Sequence, residues 1–149
     1  MSVVMKFGGT SVADETAIGR VTAIVRGQIE RQPASDSPPV VVVSALSKVT
    51  DGLLQVARFM AHGDRDQALT RLSELADRHV AIATTVTSGA RLAAVTRDLH
   101  AEFTATSDIV RALSLLHDVS PRLLDAIAAT GELASSRLDR KSTRLNSSH

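Results

Sequence analysis

Val3-Val4-Met5-Lys6-Phe7-Gly8-Gly9-Thr10-Ser11-Val12-Ala13-Asp14 is the stretch on which the reading of this chain turns. Its first five residues are β-branched and apolar enough for a buried strand, and Gly8-Gly9 ends that strand abruptly. A helix is expected next, with Ser11 as N-cap and Asp14 and Glu15 in the first turn, where the helix dipole favours negative charge. Ile18, Val21, Ile24, Val25 and Ile29 recur at helical spacing and predict one buried face. The polar, proline-containing residues 32–39 read as a connecting loop.

Val40-Val41-Val42-Val43 is a continuous β-branched run, the pattern of a parallel strand covered on both faces. Strand, helix and strand make a βαβ unit, with a right-handed crossover expected. Ligands of open α/β sheets gather at the carboxyl ends of strands, so Gly8-Gly9 and Ser44-Ala45 mark two candidate ligand loops side by side.

Beyond Thr50-Asp51, read as an N-cap pair, the chain is helical in pattern. Leu53, Leu54, Val56, Ala57 and Met60 share a face until Gly63 stops the helix. Ala68, Leu69, Leu72, Leu75, Ala76 and His79 form the stripe of the next. A third helix follows Ser88-Gly89 with Leu92, Val95, Leu99 and Phe103, and runs on or restarts through Ile109, Val110, Leu113 and Leu116. Ser120-Pro121 is a strong helix start, Leu123, Leu124, Ile127 and Ala128 give its buried face, and Gly131-Glu132 is expected to interrupt or end it.

With 149 residues the chain can bury a sizeable core. Its 17 basic and 16 acidic residues nearly balance, which gives no electrostatic case for nucleic acid or an anionic membrane, and a small molecule is the expected partner. Cysteine is absent, removing disulfide and thiolate chemistry. No N-terminal apolar run is long enough for a signal peptide or membrane span, so a cytoplasmic location is expected. His62, His79, His100 and His117 lack metal-ligand spacing and read as surface or partly buried helical residues; no metal ligand is assigned.

Before the last eleven residues the only lysines are Lys6 and Lys48. Lys48 reads equally well as a solvated side chain. Glycines between strand and helix let backbone N–H groups approach an anion, and Lys6 adds a mobile positive charge. The loop is neither Gly-x-x-x-x-Gly-Lys-Ser/Thr nor Gly-x-Gly-x-x-Gly, and on these residues alone a tight turn and a phosphate cradle stand level.

Residues 6–14, Lys6-Phe7-Gly8-Gly9-Thr10-Ser11-Val12-Ala13-Asp14, resemble the N-terminal signature of the aspartate kinases. Val42-Val43-Ser44-Ala45-Leu46-Ser47-Lys48-Val49-Thr50-Asp51 is similar to that family's second motif, and Gly131-Glu132-Leu133 with Ser135 to its third. The resemblance implies the three-layer α/β/α amino-acid-kinase fold around a mostly parallel sheet, of which residues 1–138 would be the N-terminal, aspartate-binding part. It implies transfer of the ATP γ-phosphoryl group to the side-chain carboxylate of L-aspartate, with Mg2+, at the start of lysine, threonine and methionine synthesis, by an enzyme that is a homo-oligomer when whole. ATP would meet Lys6, Phe7, Gly8 and Gly9, with Lys6 catalytic; aspartate would meet Ser44, Thr50 and Glu132, the last holding its ammonium group. Alternatives are a relative acting on another carboxylate or carbamate, such as glutamate 5-kinase or acetylglutamate kinase, and a non-catalytic anion-binding module. From Asp139 the helical pattern fails, and residues 139–149 resemble one reading frame of a sequencing adapter, so a foreign tail and a truncated, inactive kinase domain are expected.

Overall fold

The computed structural model describes residues 3–33, 36–115 and 120–143. Strand β1 (Val4–Phe7) and strand β2 (Val40–Val43) pair in parallel, with Lys6 opposite Val42 and Phe7 opposite Val43. Helices α1 (Glu15–Arg31), α2 (Val49–Ala61), α3 (Arg65–Val86), α4 (Gly89–Leu113) and α5 (Pro121–Thr143) account for most of the rest. No described helix is long and apolar enough to cross a membrane.

Local chemistry sets the element boundaries. A short 3-10 helix, Gly9–Val12, follows β1 and displaces the start of α1 from the expected Ser11 cap. Asp14 takes the N-cap instead, its Oδ1 accepting from the Ala17 amide at 2.8 Å, a bond worth about 1 kcal/mol in such positions. Helix α2 likewise begins one residue before the expected Thr50-Asp51 pair: Lys48 is its N-cap, in the left-handed region at φ 63°, with no side-chain cap. Thr50 lies inside the first turn with its side chain exposed, and Asp51 complements the helix dipole there. Gly63, at φ 74°, ends the α2 to α3 connection in the conformation that glycine tolerates best.

The apolar stripes predicted from periodicity largely meet in one core. Ile18, Val21 and Val25 of α1, Leu53, Val56 and Met60 of α2, Leu72 and Leu75 of α3, Val95, Leu99 and Phe103 of α4 and Ile127 of α5 are buried together. Ile24 and Ile29 depart from the predicted α1 face and remain exposed, as does Leu54 on α2. Helix α4 runs unbroken to Leu113, while Leu116 and His117 fall outside the described residues.

Two expectations are corrected. Helix α5 is not interrupted at Gly131-Glu132 but continues to Thr143, because the missing Cβ of Gly131 serves close packing while its backbone stays helical. Strand β2 is covered on one face only: Met5, Phe7, Val41 and Val43 pack on the helical core, whereas Val4, Val40 and Val42 are 67%, 51% and 44% exposed. The hydrophobic core lies against one side of the two strands, which leaves the alternate side chains, Lys6 among them, on an open face. The resulting chain is mostly helical with a small parallel sheet.

Candidate functional site

Parallel pairing in register brings the carboxyl ends of β1 and β2 together. The Ser44 amide donates to the Phe7 carbonyl at 3.0 Å, one step past the last paired residues, so the loops that leave the two strands start side by side. Gly8 has φ −78° and ψ 175°, an ordinary extended conformation, and a Cβ placed there would meet no atom within 4 Å. Neither strain nor internal packing therefore calls for glycine at this position, and the space beside it is open to a ligand. A Cβ on Gly9 would come 3.8 Å from the Ala45 carbonyl oxygen, which locates the first loop against the second. The Ser11 amide closes the glycine turn by donating to the Gly8 carbonyl at 2.9 Å.

The third segment arrives from α5, more than eighty residues later. A Cβ on Gly131 would stand 2.9 Å from Val49 Cγ1, 3.0 Å from Ala45 Cβ and 3.1 Å from Leu53 Cδ1, so this glycine lets α5 lie directly on the β2 loop and the start of α2. Helix α5 is fixed from its other side by the Thr106 and Thr130 hydroxyls, 2.8 Å apart in the buried seam with α4. Glu132, next to Gly131, is exposed.

Ala45 is thus the point at which the three segments singled out in the sequence converge. Ser44 precedes it, half-buried, and Thr50 lies in the first turn of α2 with its side chain exposed. Lys6 sits two residues before Gly8 and projects onto the open sheet face rather than into the helical core. Among the described residues, none hydrogen-bonds or ion-pairs with the side chains of Lys6, Ser44, Thr50 or Glu132, which leaves each available to a ligand. Phe7 instead turns its partly buried side chain to the core.

Among the described residues no group of three or more His, Cys, Asp or Glu side chains could hold a metal ion. His62 and His100 are exposed, but His79 is fully buried, a correction to its reading as a surface or partly buried residue. Its position in the Leu72 and Leu75 stripe was the signal for that burial. Sequence reasoning missed the roles of Ala45 and Gly131 as packing partners and the left-handed conformation of Lys48; small side chains and backbone angles leave little trace in a residue pattern.

Residues 1–145 match the sequence profile of the amino acid kinase family. Over 136 residues the chain is 32% identical to bifunctional aspartokinase/homoserine dehydrogenase 1, chloroplastic, of Zea mays. It is also 32% identical to bifunctional aspartokinase/homoserine dehydrogenase 2, chloroplastic, of Arabidopsis thaliana. Each alignment covers 91% of this chain but 14% of the relative, so the chain spans a small part of their length. Among solved structures, E. coli aspartokinase III in complex with lysine and aspartate, in the T-state, superposes with a TM-score of 0.68 at 27% identity, over 94% of this chain and 28% of that one. The R-state of the same enzyme, with aspartate and ADP, gives 0.68 at 28% identity, over 95% and 28%. A parallel βαβ unit whose glycine loop, second strand loop and Gly-Glu helix meet at one point, matched over nearly its whole length, belongs to the amino acid kinase family.

Proposed function

We propose that this chain is the aspartate-binding portion of an aspartokinase, which transfers the γ-phosphoryl group of ATP to the side-chain carboxylate of L-aspartate. The observation that supports the reading is the convergence of Gly9, Ala45 and Gly131, the three segments to which the family resemblance would give ATP and aspartate. The E. coli structural neighbours, complexed with aspartate and in one case with ADP, are consistent with both ligands.

The chemistry suits these residues. An aspartate side chain with an ordinary pKa of about 3.9 is already an ionised nucleophile at neutral pH, so no general base is required. The barrier arises from an anion approaching an anion, and its relief is a matter of positioning and charge stabilisation. Lys6 would place its ammonium against the reacting phosphate, while the Gly8 and Gly9 amides approach phosphate oxygens closely because no side chain intervenes. Ser44 and Thr50 would hydrogen-bond the substrate aspartate, and Glu132 would pair with its ammonium group. Magnesium, brought by the nucleotide with its own phosphates as ligands, would neutralise part of their charge.

The products are ADP and 4-phospho-L-aspartate, the first intermediate toward lysine, threonine and methionine. By itself the 149-residue chain is proposed to be inactive, since Val4, Val40 and Val42 stand uncovered and the chain spans 28% of the E. coli neighbours. The test is an acyl-phosphate assay, trapping product as the hydroxamate, on a full-length kinase that carries this segment. Magnesium-ATP-dependent product from L-aspartate, with little from L-glutamate or N-acetyl-L-glutamate, is expected. A preference for either competitor would reassign the substrate, and no turnover of any of the three would favour an anion-binding module.

A further inference from the structure

Helix α3 carries no motif and lies outside the three segments that meet at Ala45, yet one of its side chains reaches both ligand loops. The Arg78 guanidinium is partly buried, with Nη1 donating to the Ser47 carbonyl at 2.7 Å and Nη2 to the Ala13 carbonyl at 3.2 Å. These bonds span 31 and 65 residues of sequence, so a single planar group ties the end of the glycine loop to the end of the β2 loop. We propose that Arg78 is a positioning residue for phosphoryl transfer, setting the distance between the phosphate-binding and aspartate-binding loops; this rests on the aspartokinase reading above.

Both carbonyls sit where their orientation matters. Ala13 closes the 3-10 helix that begins at Gly9, and a cation at the carbonyl end of a helical turn meets the favourable sign of its dipole. Ser47 contributes the peptide group that precedes Lys48, a non-glycine residue at positive φ. That conformation costs an isolated residue about 1–2 kcal/mol and persists where its surroundings hold it. A guanidinium bond to the Ser47 carbonyl fixes the peptide plane on the N-terminal side of this turn, from which α2 and Thr50 then project. Two nitrogens in one rigid plane can hold two carbonyls at a set separation, which the single ammonium nitrogen of lysine cannot reproduce.

The two loops must present a phosphate and a carboxylate to each other at reacting distance, and a misplacement of about 1 Å in such a pair can cost on the order of 10²-fold in rate. Arg78 touches neither reactant in this account. Its loss should therefore appear as reduced kcat together with altered KM for both substrates, not for one alone.

The experiment uses a full-length kinase carrying this segment, as parent, Arg78→Lys and Arg78→Met. Amide hydrogen exchange across residues 8–13 and 44–50 and steady-state kinetics with each substrate varied are measured beside the thermal midpoint. Expected are faster exchange in both loops and a fall of about 10- to 100-fold in kcat/KM for ATP and for aspartate, with Arg78→Lys folded and intermediate between parent and Arg78→Met. Unchanged exchange in either loop, or unchanged kcat/KM in the lysine variant, overturns the proposal. If Arg78→Met does not fold, Arg78→Lys alone decides by the same two readouts. A parent enzyme that turns over glutamate instead of aspartate removes the substrate reading but leaves the brace to be judged by exchange and by glutamate kinetics.

Discussion

Gly131 of α5 and Ala45 of the β2 loop meet so closely that a Cβ on the glycine would lie 3.0 Å from that of the alanine. Alanine at 131 would gain about 1 kcal/mol in helix propensity. Against this stand three contacts of 2.9 to 3.1 Å, one of them with a Cβ that has no rotamer through which to yield. Overpacking of a tight seam costs about 1–3 kcal/mol, so Gly131→Ala should be destabilising on balance. It should also push Glu132 away from the β2 loop and raise KM for aspartate. Denaturant midpoints and aspartate kinetics of a full-length kinase check both effects, and a midpoint at or above that of the parent contradicts the packing argument.

Gly8 gives the opposite expectation, since its backbone is extended and no atom lies within 4 Å of a Cβ built there. Gly8→Ala should leave the unfolding free energy unchanged, or raise it through the entropy removed from the unfolded chain, by about 0.4–1 kcal/mol. Its effect should fall on ATP, with KM rising or kcat falling by roughly tenfold or more as the Cβ occupies the phosphate approach. ATP kinetics equal to those of the parent would take Gly8 out of the site.

How much of this was legible beforehand depends on the range of the interaction concerned. Strands β1 and β2 and the stripes of Leu72, Leu75, Val95 and Leu99 follow from side-chain patterning, which is local, the parallel relation of the strands follows from the helix between them, and the structure agrees on each. Ser11 failed as a cap because a 3-10 turn intervenes and Asp14 is the carboxylate that reaches the Ala17 amide. Gly131 failed as a helix breaker because the packing that makes use of it is tertiary. The candidate site divides in the same way. Lys6, Gly8, Gly9 and Ser44 could be placed at strand ends, but the contact of Gly131 with Ala45 depends on how α5 crosses α2, and the reach of Arg78 to Ser47 and Ala13 depends on the whole bundle.

Residues 139–149 are expected to be encoded by sequencing-adapter DNA. Helix α5 continues to Thr143, but a helix already nucleated extends readily into polar residues, so helical backbone across this junction does not distinguish native from foreign codons. Amplification from the source genome across the codon for Leu138 provides the check. Genomic codons for Lys141-Ser142-Thr143-Arg144-Leu145 in that product would show the string to be native.

His79 should make the fold sensitive to acid. Its ring lies in the core beside Phe103, with centroids 5.2 Å apart, and its Nδ1 is 2.7 Å from the Leu75 carbonyl. A carbonyl can only accept, so Nδ1 carries the proton, and Nε2 is buried with no partner among the described residues. Burial, opposed by the bond to Leu75 and reinforced by the neighbouring Arg78 charge, lowers the pKa from 6.5 to about 4. The unfolded chain therefore binds this proton first as pH falls, and stability that is complete above pH 6.5 drains away as pH approaches about 4. Between pH 7.5 and 5 the loss should be on the order of 2 kcal/mol. Unfolding free energies at the two pH values should differ by that much more for the parent than for His79→Leu. Equal pH dependence of the two proteins would mean that His79 titrates normally.

Lys6 and Glu132 should fail in different ways. Lys6 projects from β1 onto the open face, two residues before the glycine turn, where an ammonium can follow charge as it shifts from the γ-phosphoryl group to the leaving ADP. An interaction that strengthens in the transition state appears in kcat, and loss of a single donor of this kind costs about 10²–10³-fold, so Lys6→Met should lower kcat by that order. Glu132 would hold the substrate ammonium group, which takes no part in the chemistry and carries the same charge before and during transfer. Binding that is equal in ground and transition states appears in KM, so Glu132→Gln should raise KM for aspartate while kcat and KM for ATP stay near the parent values. Because Glu132 is exposed at the surface of α5, its substitution should leave the fold intact, and the kinetic change can be read directly. Steady-state kinetics with each substrate varied in turn separate the two roles. An undiminished kcat in Lys6→Met, or a Glu132→Gln enzyme that loses ATP and keeps aspartate, would remove that residue from its assigned role.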